Sequence, residues 1–158
     1  MRPPKYPLES LARVRQRAVD AAMGLLSSAV KARDAATRAR QTAEQTHRDH
    51  ERAAARVQEG ERHALERGDL RAADLAREAT WALRMASERA RLSTGVERTK
   101  AAEAEATGAQ LEAQAGVASR RADADVVAKD RARWDDARKK SAEARDEEAA
   151  SEGWRPKL

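Results

Sequence analysis

Proline is absent from residue 8 to residue 155, and no other feature constrains the fold of this chain as strongly. The four prolines stand at positions 3, 4, 7 and 156. Because proline breaks or kinks the interior of a helix, so long an interval without it permits uninterrupted helix. Pro7 marks the start, since Glu9 and Ser10 follow it in the first turn, near the positive end of the helix dipole.

The composition indicates what kind of helical protein this is. Of the 158 residues, 37% are charged and only 3% are aromatic, and there is no phenylalanine. Few bulky side chains are therefore present to fill a globular core, and the composition is typical of long helices or a coiled coil. Disorder is the competing interpretation. The net charge is only +5 and both signs are interspersed at helical spacing, which favours helix.

One segment predicts a reversal of the chain. In "ALERGDLRAADLA", at 64–76, Gly68 suits the left-handed position that ends a helix, and Asp69 suits the N-cap of the next one. We expect an all-α fold, a long antiparallel two-helix coiled coil (an α-hairpin) whose C-terminal helix is longer than the N-terminal one. It forms a single elongated domain over 1–158, with helix one at about 8–67, a turn at about 68–69 and helix two at about 70–152.

This turn sets a register in which residue i lies roughly opposite residue 137 − i. Tyr6 then falls near Arg131, within a turn of Trp134. Leu11 falls opposite Val126, and the pair at 25–26 falls opposite 110–112. The few large apolar residues therefore meet one another across the hairpin, which supports the register.

The predicted seam of helix one has heptad spacing and small side chains. Such a seam lets two helices approach closely but buries little area per turn, so stability accumulates over length. Helix two outruns helix one by roughly 24 residues, and its end projects alone. The predicted seam positions are Ala18, Ala22, Leu25, Ala29, Ala32, Ala36, Ala39, Ala43, Thr46, His50, Ala53 and Val57.

The sequence offers no chemistry of catalysis. There is no cysteine, no glycine-rich phosphate loop, no HExxH and no nucleophile elbow. His47 and His50, in "HRDH", have a spacing that a weak metal site can use, but we interpret them as polar seam and surface positions. We expect no enzyme activity, no metal and no cofactor.

Composition also bears on location and on nucleic acid. No apolar run approaches the roughly 20 residues that span a bilayer, and the N-terminus lacks the apolar centre of a secretory signal. We therefore expect a cytoplasmic protein. The sequence pI is about 10, but the basic residues alternate with acids and no aromatic residues interleave with them, so we expect no nucleic-acid partner.

Three large apolar residues follow the turn on helix two. Trp81 and Met85 are spaced i,i+4, and Leu92 lies two turns beyond Met85. These side chains either fill the end of the hairpin near the turn or form an exposed apolar anchor for a partner, because tryptophan is enriched at binding hot spots. The spacing leaves both interpretations open.

Three segments together resemble the FliJ/YscO family, the stalk proteins of flagellar and virulence type III export systems. "KYPLESLARVRQRAVDAA" is similar to the family's N-terminal signature, and "RGDLRAADLAREATWALRM" is similar to its turn and the opening of its second helix. "ARKKSAEARDEEAA" resembles its closing pattern. The segments occur in the family's order and cover most of the chain. Whether such a protein serves a flagellum or an injectisome does not follow from them.

The resemblance implies a coiled-coil central stalk that binds the hexameric export ATPase, promotes its assembly and activity, and links it to the export-gate membrane protein. It also implies possible binding of export chaperones, and a place at the cytosolic face of the membrane, reached only through partners. By position, Trp81, Met85 and Leu92 match the gate-binding patch, although Glu88 stands where a small residue is expected. The residues implied for ATPase binding are Tyr6, Leu8, Leu11, Trp134, Arg138, Lys139 and Lys140.

Three alternatives remain at this point. The first is a self-associating cytosolic coiled-coil scaffold without an ATPase partner, a parallel dimer in which Gly68 is only a kink. The second is a three-helix bundle that turns again at "STG", 93–95; Gly108 and Gly116 are weaker interruptions. The third is a basic helical protein that binds nucleic acid, with steep salt dependence.

Overall fold

A computed structural model describes residues 5–153 and contains two long helices. Helix α1 runs Glu9–Glu66, 58 residues, and helix α2 runs Ala72–Gly153, 82 residues. The helices are antiparallel and pack against each other, and no strand occurs in 5–153. The all-α hairpin with a longer second helix is confirmed. The boundaries predicted for one continuous domain also include 1–4 and 154–158, which lie outside the described residues, and the single domain stays a prediction.

A backbone motif ends α1. Gly68 has a φ of 73°, in the left-handed region predicted for it. Its N–H donates to the Leu65 carbonyl at 3.0 Å, and the Asp69 N–H donates to the Ala64 carbonyl at 3.0 Å. This is the pair of hydrogen bonds of a Schellman motif, and it satisfies carbonyls that the end of the helix leaves open. Gly68 therefore reverses the chain, and the interpretation of it as a kink in a continuous helix is wrong.

The start of α2 differs from the prediction. Arg71 is the N-cap residue, since its carbonyl accepts from the backbone N–H groups of Asp74 and Leu75 at 2.9 and 3.3 Å. The Asp74 carboxylate accepts in return from the Arg71 N–H at 3.0 Å, which is half of a capping box. Asp69 is not the N-cap. The Schellman motif holds Asp69 two residues before the N-cap Arg71, and its carboxylate accepts from Arg67 Nε at 2.9 Å.

Helix α2 is unbroken where the sequence offered interruptions. It continues through 93–95, Gly108 and Gly116 without a turn. A Cβ placed on Gly95, Gly108 or Gly116 meets nothing within 4 Å, and none of the three has a positive φ. A second turn at 93–95, and with it the three-helix bundle, is wrong. Each glycine is tolerated because its cost in a helix interior, about 1 kcal/mol, is small beside the packing of a long helix.

The chain divides into two compact units, each with segments of both helices. Unit 1 consists of Met1–Ser27 and Glu112–Leu158, and unit 2 consists of Ser28–Leu111. Within unit 1, Arg15 Nη1 bonds to Asp123 Oδ2 at 3.0 Å, one residue from the predicted register. Within unit 2, Glu51 pairs with Arg89 at 3.0 Å, three residues from it. These two pairs deviate from the predicted pairing by less than one helical turn, whereas Arg40 and Glu103 in unit 2 deviate from it by six residues.

The core is sparse. Among the described residues the buried apolar side chains are Tyr6, Val19, Val96, Val117 and Val127, and none has less than 2% of its surface exposed. Val126 is 69% exposed, so the predicted contact with Leu11 is wrong. The neighbouring Val127 is buried in its place.

Half of the predicted seam of α1 is confirmed and half is shifted. The predicted positions that are half-buried are Ala18, Ala22, Ala29, Ala36, Ala43 and His50. Leu25, however, is 70% exposed, and its neighbour Leu26 is half-buried instead. Leu111, its predicted counterpart on α2, is exposed as well. In unit 2 the predicted Ala32, Ala39, Thr46 and Ala53 are exposed, and Val57 is exposed too.

At every shifted position except Val57, the half-buried residue is the one that follows the predicted position, about 100° further around the helix. In unit 2 they are Arg33, Arg40, His47 and Ala54. Arg40 shows why a long polar side chain can replace alanine here. Its guanidinium pairs with Glu44 along α1 at 2.8 Å and also with Glu103 on α2. These carboxylates raise the pKa of Arg40, first through the hydrogen bond to Glu44.

Candidate functional sites

Unit 1 contains an aromatic cluster that joins the start of α1 to α2. The rings of Tyr6 and Trp134 meet edge to face, with centroids 5.6 Å apart and planes at 61°. The Arg138 guanidinium lies 4.8 Å from the Trp134 ring centroid, and that of Arg131 lies 5.9 Å from the Tyr6 ring. The predicted approach of Tyr6 to Arg131 and Trp134 is confirmed. Both cations stand within the distance at which a ring face attracts them.

The Tyr6 hydroxyl has specific partners. It donates to Asp130 Oδ2 at 2.5 Å, and the Val127 carbonyl lies 3.5 Å away. Burial raises the pKa of this hydroxyl to about 12, and the adjacent Asp130 carboxylate acts in the same direction through its hydrogen bond and its charge. Tyr6 therefore keeps its proton well above the usual range of a tyrosine.

The other residues implied for ATPase binding lie on the surface of unit 1. Leu8 and Leu11 are exposed beside the aromatic cluster. Lys139 and Lys140 are exposed on α2, and Lys139 approaches Glu143 at 3.9 Å. The structure thus brings Tyr6, Trp134 and Arg138 together and leaves the two leucines and two lysines open to solvent.

The last part of α2 has no packed side chains. Trp134 is half-buried, and every residue from 135 to 152 is exposed. Within this segment Lys139 approaches Glu143, the Ser151 hydroxyl donates to the Glu148 carbonyl at 2.8 Å, and the Arg138 guanidinium lies over the Trp134 ring. The structure therefore presents the side chains of 135–152 to solvent on a helix.

Unit 2 contains a second candidate site, a cavity of about 250 Å³ between its two helical segments. Trp81 and Met85 are half-buried and line it from α2, and His50 and Ala54 line it from α1. The two predicted residues therefore face the other helix, yet border open space. Leu92 is half-buried and lines a separate groove with Thr46 and Gly95, so the structure does not bring all three predicted residues into one site.

His50 is the unusual group in this cavity. Both ring nitrogens are buried and neither has a hydrogen-bond partner within the described residues. At the edge of the cavity Glu51 Oε1 and Arg89 Nε form an ion pair at 3.0 Å. Gln58 adds an amide on the same side. Sequence reasoning placed His50 in the seam but missed Glu51, Gln58 and Arg89 as members of a site. The available signal was the i,i+7 spacing of Glu51 and Gln58 on α1 and the i,i+4 spacing of Met85 and Arg89 on α2.

Glu88, noted as a departure from the family pattern, is half-buried and accepts from Arg91 Nη2. This hydrogen bond, together with the Glu88 charge, raises the pKa of Arg91. Glu88 does not line the cavity of Trp81 and Met85. Its charge is therefore met along α2 itself and does not interrupt the apolar surface of the cavity.

Within the described part of the chain no group of three or more His, Asp or Glu side chains is placed to hold a metal ion. His47 Nε2 lies 4.0 Å from Glu51 Oε1, and His50 adds no hydrogen bond to that pair. Over 5–153, neither helix has a stretch that is both long and apolar enough to cross a bilayer.

The chain was compared with known proteins. No family model, curated protein or solved structure matches it.

Proposed function

We propose that this protein is a non-enzymatic central stalk of a type III protein export apparatus. In this role it binds the hexameric export ATPase, promotes the assembly and activity of that enzyme, and links it to the export-gate membrane protein. The protein acts at the cytosolic face of the membrane and reaches it only through partners, which can include export chaperones. The proposal rests on the similarity of three segments to the FliJ/YscO family and on the helical hairpin.

The observation that carries the proposal is the end of α2. Beyond Trp134 the helix continues to Gly153 with all side chains from 135 to 152 exposed. An isolated helix of this length is marginally stable in water, so a partner surface that holds it is physically favourable. Beside it the Tyr6–Trp134 cluster offers aromatic and guanidinium groups, the residue types that most often anchor interfaces. We assign ATPase binding to this end and gate binding to Trp81, Met85 and Leu92.

The test measures turnover and hexamer formation of the export ATPase from the same organism with and without this protein. We expect stoichiometric addition to raise both. Charge reversal at Lys139→Glu with Lys140→Glu should weaken the effect about tenfold or more, if each lysine meets a carboxylate of the ATPase. Lys100→Glu, an exposed lysine of unit 2, is the matched control and should leave stimulation unchanged. An active ATPase that ignores the protein would exclude the stalk role.

A second candidate, a self-associating coiled-coil scaffold, is favoured by one observation in unit 1. Leu11, Val14, Ala21 and Leu25 are exposed on α1 at heptad positions. This apolar stripe has the spacing of a coiled-coil seam. Sedimentation velocity between 1 and about 100 μM decides the matter, since interfaces of moderate size associate in this range. The scaffold predicts dimers that Leu25→Glu dissociates, whereas the stalk predicts a monomer throughout.

A further inference from the structure

We propose that one face of α2 in unit 2 binds an acidic α-helix of a partner protein. The face is a stripe of exposed residues in which arginine alternates with a small hydroxyl side chain. This basic stripe consists of Arg77, Thr80, Arg84, Ser87, Arg91, Thr94 and Arg98. It contains none of the residues assigned above to a partner, and the proposal does not rest on the export role.

The stripe runs along one side of the helix, because its members follow one another at alternating spacings of three and four residues. Its arginines recur every seven residues, about 10.5 Å apart, over a total length of about 31 Å. All of its side chains are exposed, and no aspartate or glutamate interrupts the series. The stripe therefore presents a row of positive charge at the repeat of a coiled coil.

In heptad terms, the stripe flanks the contact between the two helices. The half-buried Trp81 and Met85 occupy core positions of α2, and Arg84 stands beside them at a flanking position. Charges at flanking positions pair with the facing helix and so decide which partner a helix accepts. The opposite flank follows this rule, because Arg89 pairs with Glu51 of α1 at 3.0 Å.

The basic stripe differs from that flank, because α1 supplies no carboxylate to it within the described residues. Arg84 and Arg98 have no ion pair there, whereas Arg77 and Arg91 each pair with an acidic residue one turn earlier on α2 itself. The side chains of Arg77 and Arg91 are nevertheless 78% and 76% exposed, so they remain accessible to a second carboxylate. The stripe thus has the repeat of a helix contact but no acidic counterpart on α1.

Helix α1 extends the basic surface beside the stripe. A groove of about 590 Å³ is bordered by Arg91 and Arg98 of α2 and by Thr46 of α1. A neighbouring groove shares Thr46 and is bordered by Arg38 and Arg48. Over the described residues, neither groove is lined by an acidic side chain. Small residues also line the first groove and allow a third helix to approach closely. They are Ala43, Thr94 and Gly95.

An acidic helix matches this surface better than other polyanions do. Carboxylates at every seventh position of a helix are also about 10.5 Å apart, so each of them meets one arginine along the stripe. The major groove of DNA, about 12 Å wide, admits a single helix, whereas this helix is already packed against α1. Single-stranded nucleic acid is held by aromatic stacking, and the stripe contains no aromatic residue. An unstructured acidic chain would lose conformational entropy on binding.

The test titrates the full-length protein into two fluorescent peptides of identical composition, each stapled as a helix of about eight turns. In the first peptide four glutamates recur every seven residues, and in the second the same glutamates are distributed around the helix. Because exposed ion pairs are weak and screened by salt, fluorescence anisotropy is measured at about 50 mM NaCl. We expect the first peptide to bind about fivefold more tightly, since only its carboxylates all face arginines.

Variants of the protein locate the contact. Arg84→Gln with Arg98→Gln removes the two arginines that have no acidic partner, and should weaken binding of the first peptide about tenfold. The matched control, Arg17→Gln with Arg56→Gln, removes the same charge from exposed positions of α1 and should change affinity by less than about twofold. Arg84→Glu with Arg98→Glu should bind a version of the first peptide in which lysines replace the glutamates.

Equal affinity for the two peptides, or failure of both to bind, would overturn the proposal, because net charge alone would then suffice. Equal weakening by the stripe variant and by its control would overturn it for the same reason. Tighter binding of a DNA duplex of about 20 base pairs than of the first peptide would assign the face to nucleic acid instead. Self-association of the free protein that Arg84→Gln with Arg98→Gln abolishes would assign the face to a second copy.

The two peptides are compared on the wild-type chain, so the conclusion does not depend on the folding of a variant. Because neither ATPase nor gate is present, a failure here leaves the stalk proposal to its own assay.

Discussion

Units 1 and 2 are built from the same two helices, yet they differ in the apolar side chains that they bury. Unit 1 contains Tyr6, Val19, Val117 and Val127, four of the five buried apolar side chains described. Unit 2 contains only Val96 among them, and its helices are joined by polar pairs, including Thr37 with Glu103 at 2.7 Å and Glu51 with Arg89 at 3.0 Å. Unit 1 also has polar pairs between its helices, Arg15 with Asp123 and Glu9 with Arg131, so the two units differ in their buried apolar side chains and not in the presence of ion pairs.

This difference indicates why one unit of an alanine-rich hairpin is closely packed while the other contains a cavity. Apolar burial contributes in proportion to area and needs no exact partner geometry. Ion pairs that remain partly exposed contribute little to stability, but each needs a specific partner and so helps to define the register. We infer that unit 1 supplies more of the stability, and that unit 2 tolerates a cavity because its seam is already polar.

The largest expected effect comes from removing the aromatic side chain of unit 1. Tyr6→Ala deletes the ring that packs on Trp134 and should lower the free energy of unfolding by about 3 kcal/mol. Tyr6→Phe keeps the ring and removes the bond to Asp130, so it should cost about 1 kcal/mol. Urea unfolding followed by circular dichroism measures both. Equal losses for the two variants would show that the hydroxyl, not apolar packing, fixes this end.

Tyr6 also predicts that the stability of the folded chain depends on pH in the alkaline range. The pKa of Tyr6 is about 12 in the folded chain, against about 10 for an ordinary tyrosine. Between these values the unfolded chain has lost the proton and the folded chain keeps it, so stability falls as the pH rises from about 10 to about 12.

This dependence is measured as the urea midpoint of wild type and Tyr6→Phe from pH 8 to 11.5, a range in which lysines titrate equally in both proteins. The gap between the two midpoints should narrow with rising pH. A constant gap would contradict the assignment of the shift to Tyr6.

In unit 2 a gain in stability is expected. His50→Leu replaces two unsatisfied ring nitrogens by methyl groups at the border of the cavity and should stabilise the fold by about 1 kcal/mol. The matched control is His63→Leu, since His63 is exposed near the end of α1 and should change stability by less than about 0.5 kcal/mol. A lower thermal midpoint for His50→Leu would mean that the imidazole has a partner after all, and the contrast between the units would weaken.

The smallest expected effect comes from replacing one helix glycine by alanine in each unit. Gly116→Ala in unit 1 and Gly108→Ala in unit 2 each add a methyl group that meets nothing within 4 Å. Each should stabilise by about 0.5–1 kcal/mol, because alanine loses less entropy than glycine on forming helix. Thermal unfolding of the two single variants checks this. Similar gains in the two variants would mean that the units differ only in the contacts between their helices. Unequal gains would mean that the stability of α2 itself differs between the two units.

The features that depend on rare residues were predictable from the sequence. Few large side chains are available, so Tyr6 and Trp134 had few possible neighbours, and one register brought them together. Gly68 was predictable for a similar reason, because only a residue without a Cβ enters the left-handed region at no steric cost.

The packed face of α1 in unit 2 was not predictable, because two adjacent sets of positions both have heptad spacing. Ala39 and Arg40 differ by about 100° around the helix, and alanine gives too little burial to decide between them. Arg40 occupies the seam because Glu44 and Glu103 are placed to receive it. That arrangement joins two helices and leaves no periodic signal in either one. The cavity was not predictable for the same reason, because its lining depends on which residues next to His50 face α2.

The exposed end of α2 has a consequence for the time scale of opening. Its backbone amides are protected only by bonds within the helix, whereas those near Trp134 belong to a packed region. Native-state hydrogen exchange should therefore accelerate from residue 134 towards residue 152, because the side chains of 135–152 are exposed and opening the segment costs little burial. A ring that closes around this segment would slow exchange there before it slowed exchange anywhere else. The exchange rates of the amides in 135–152 therefore report whether a partner binds this part of α2.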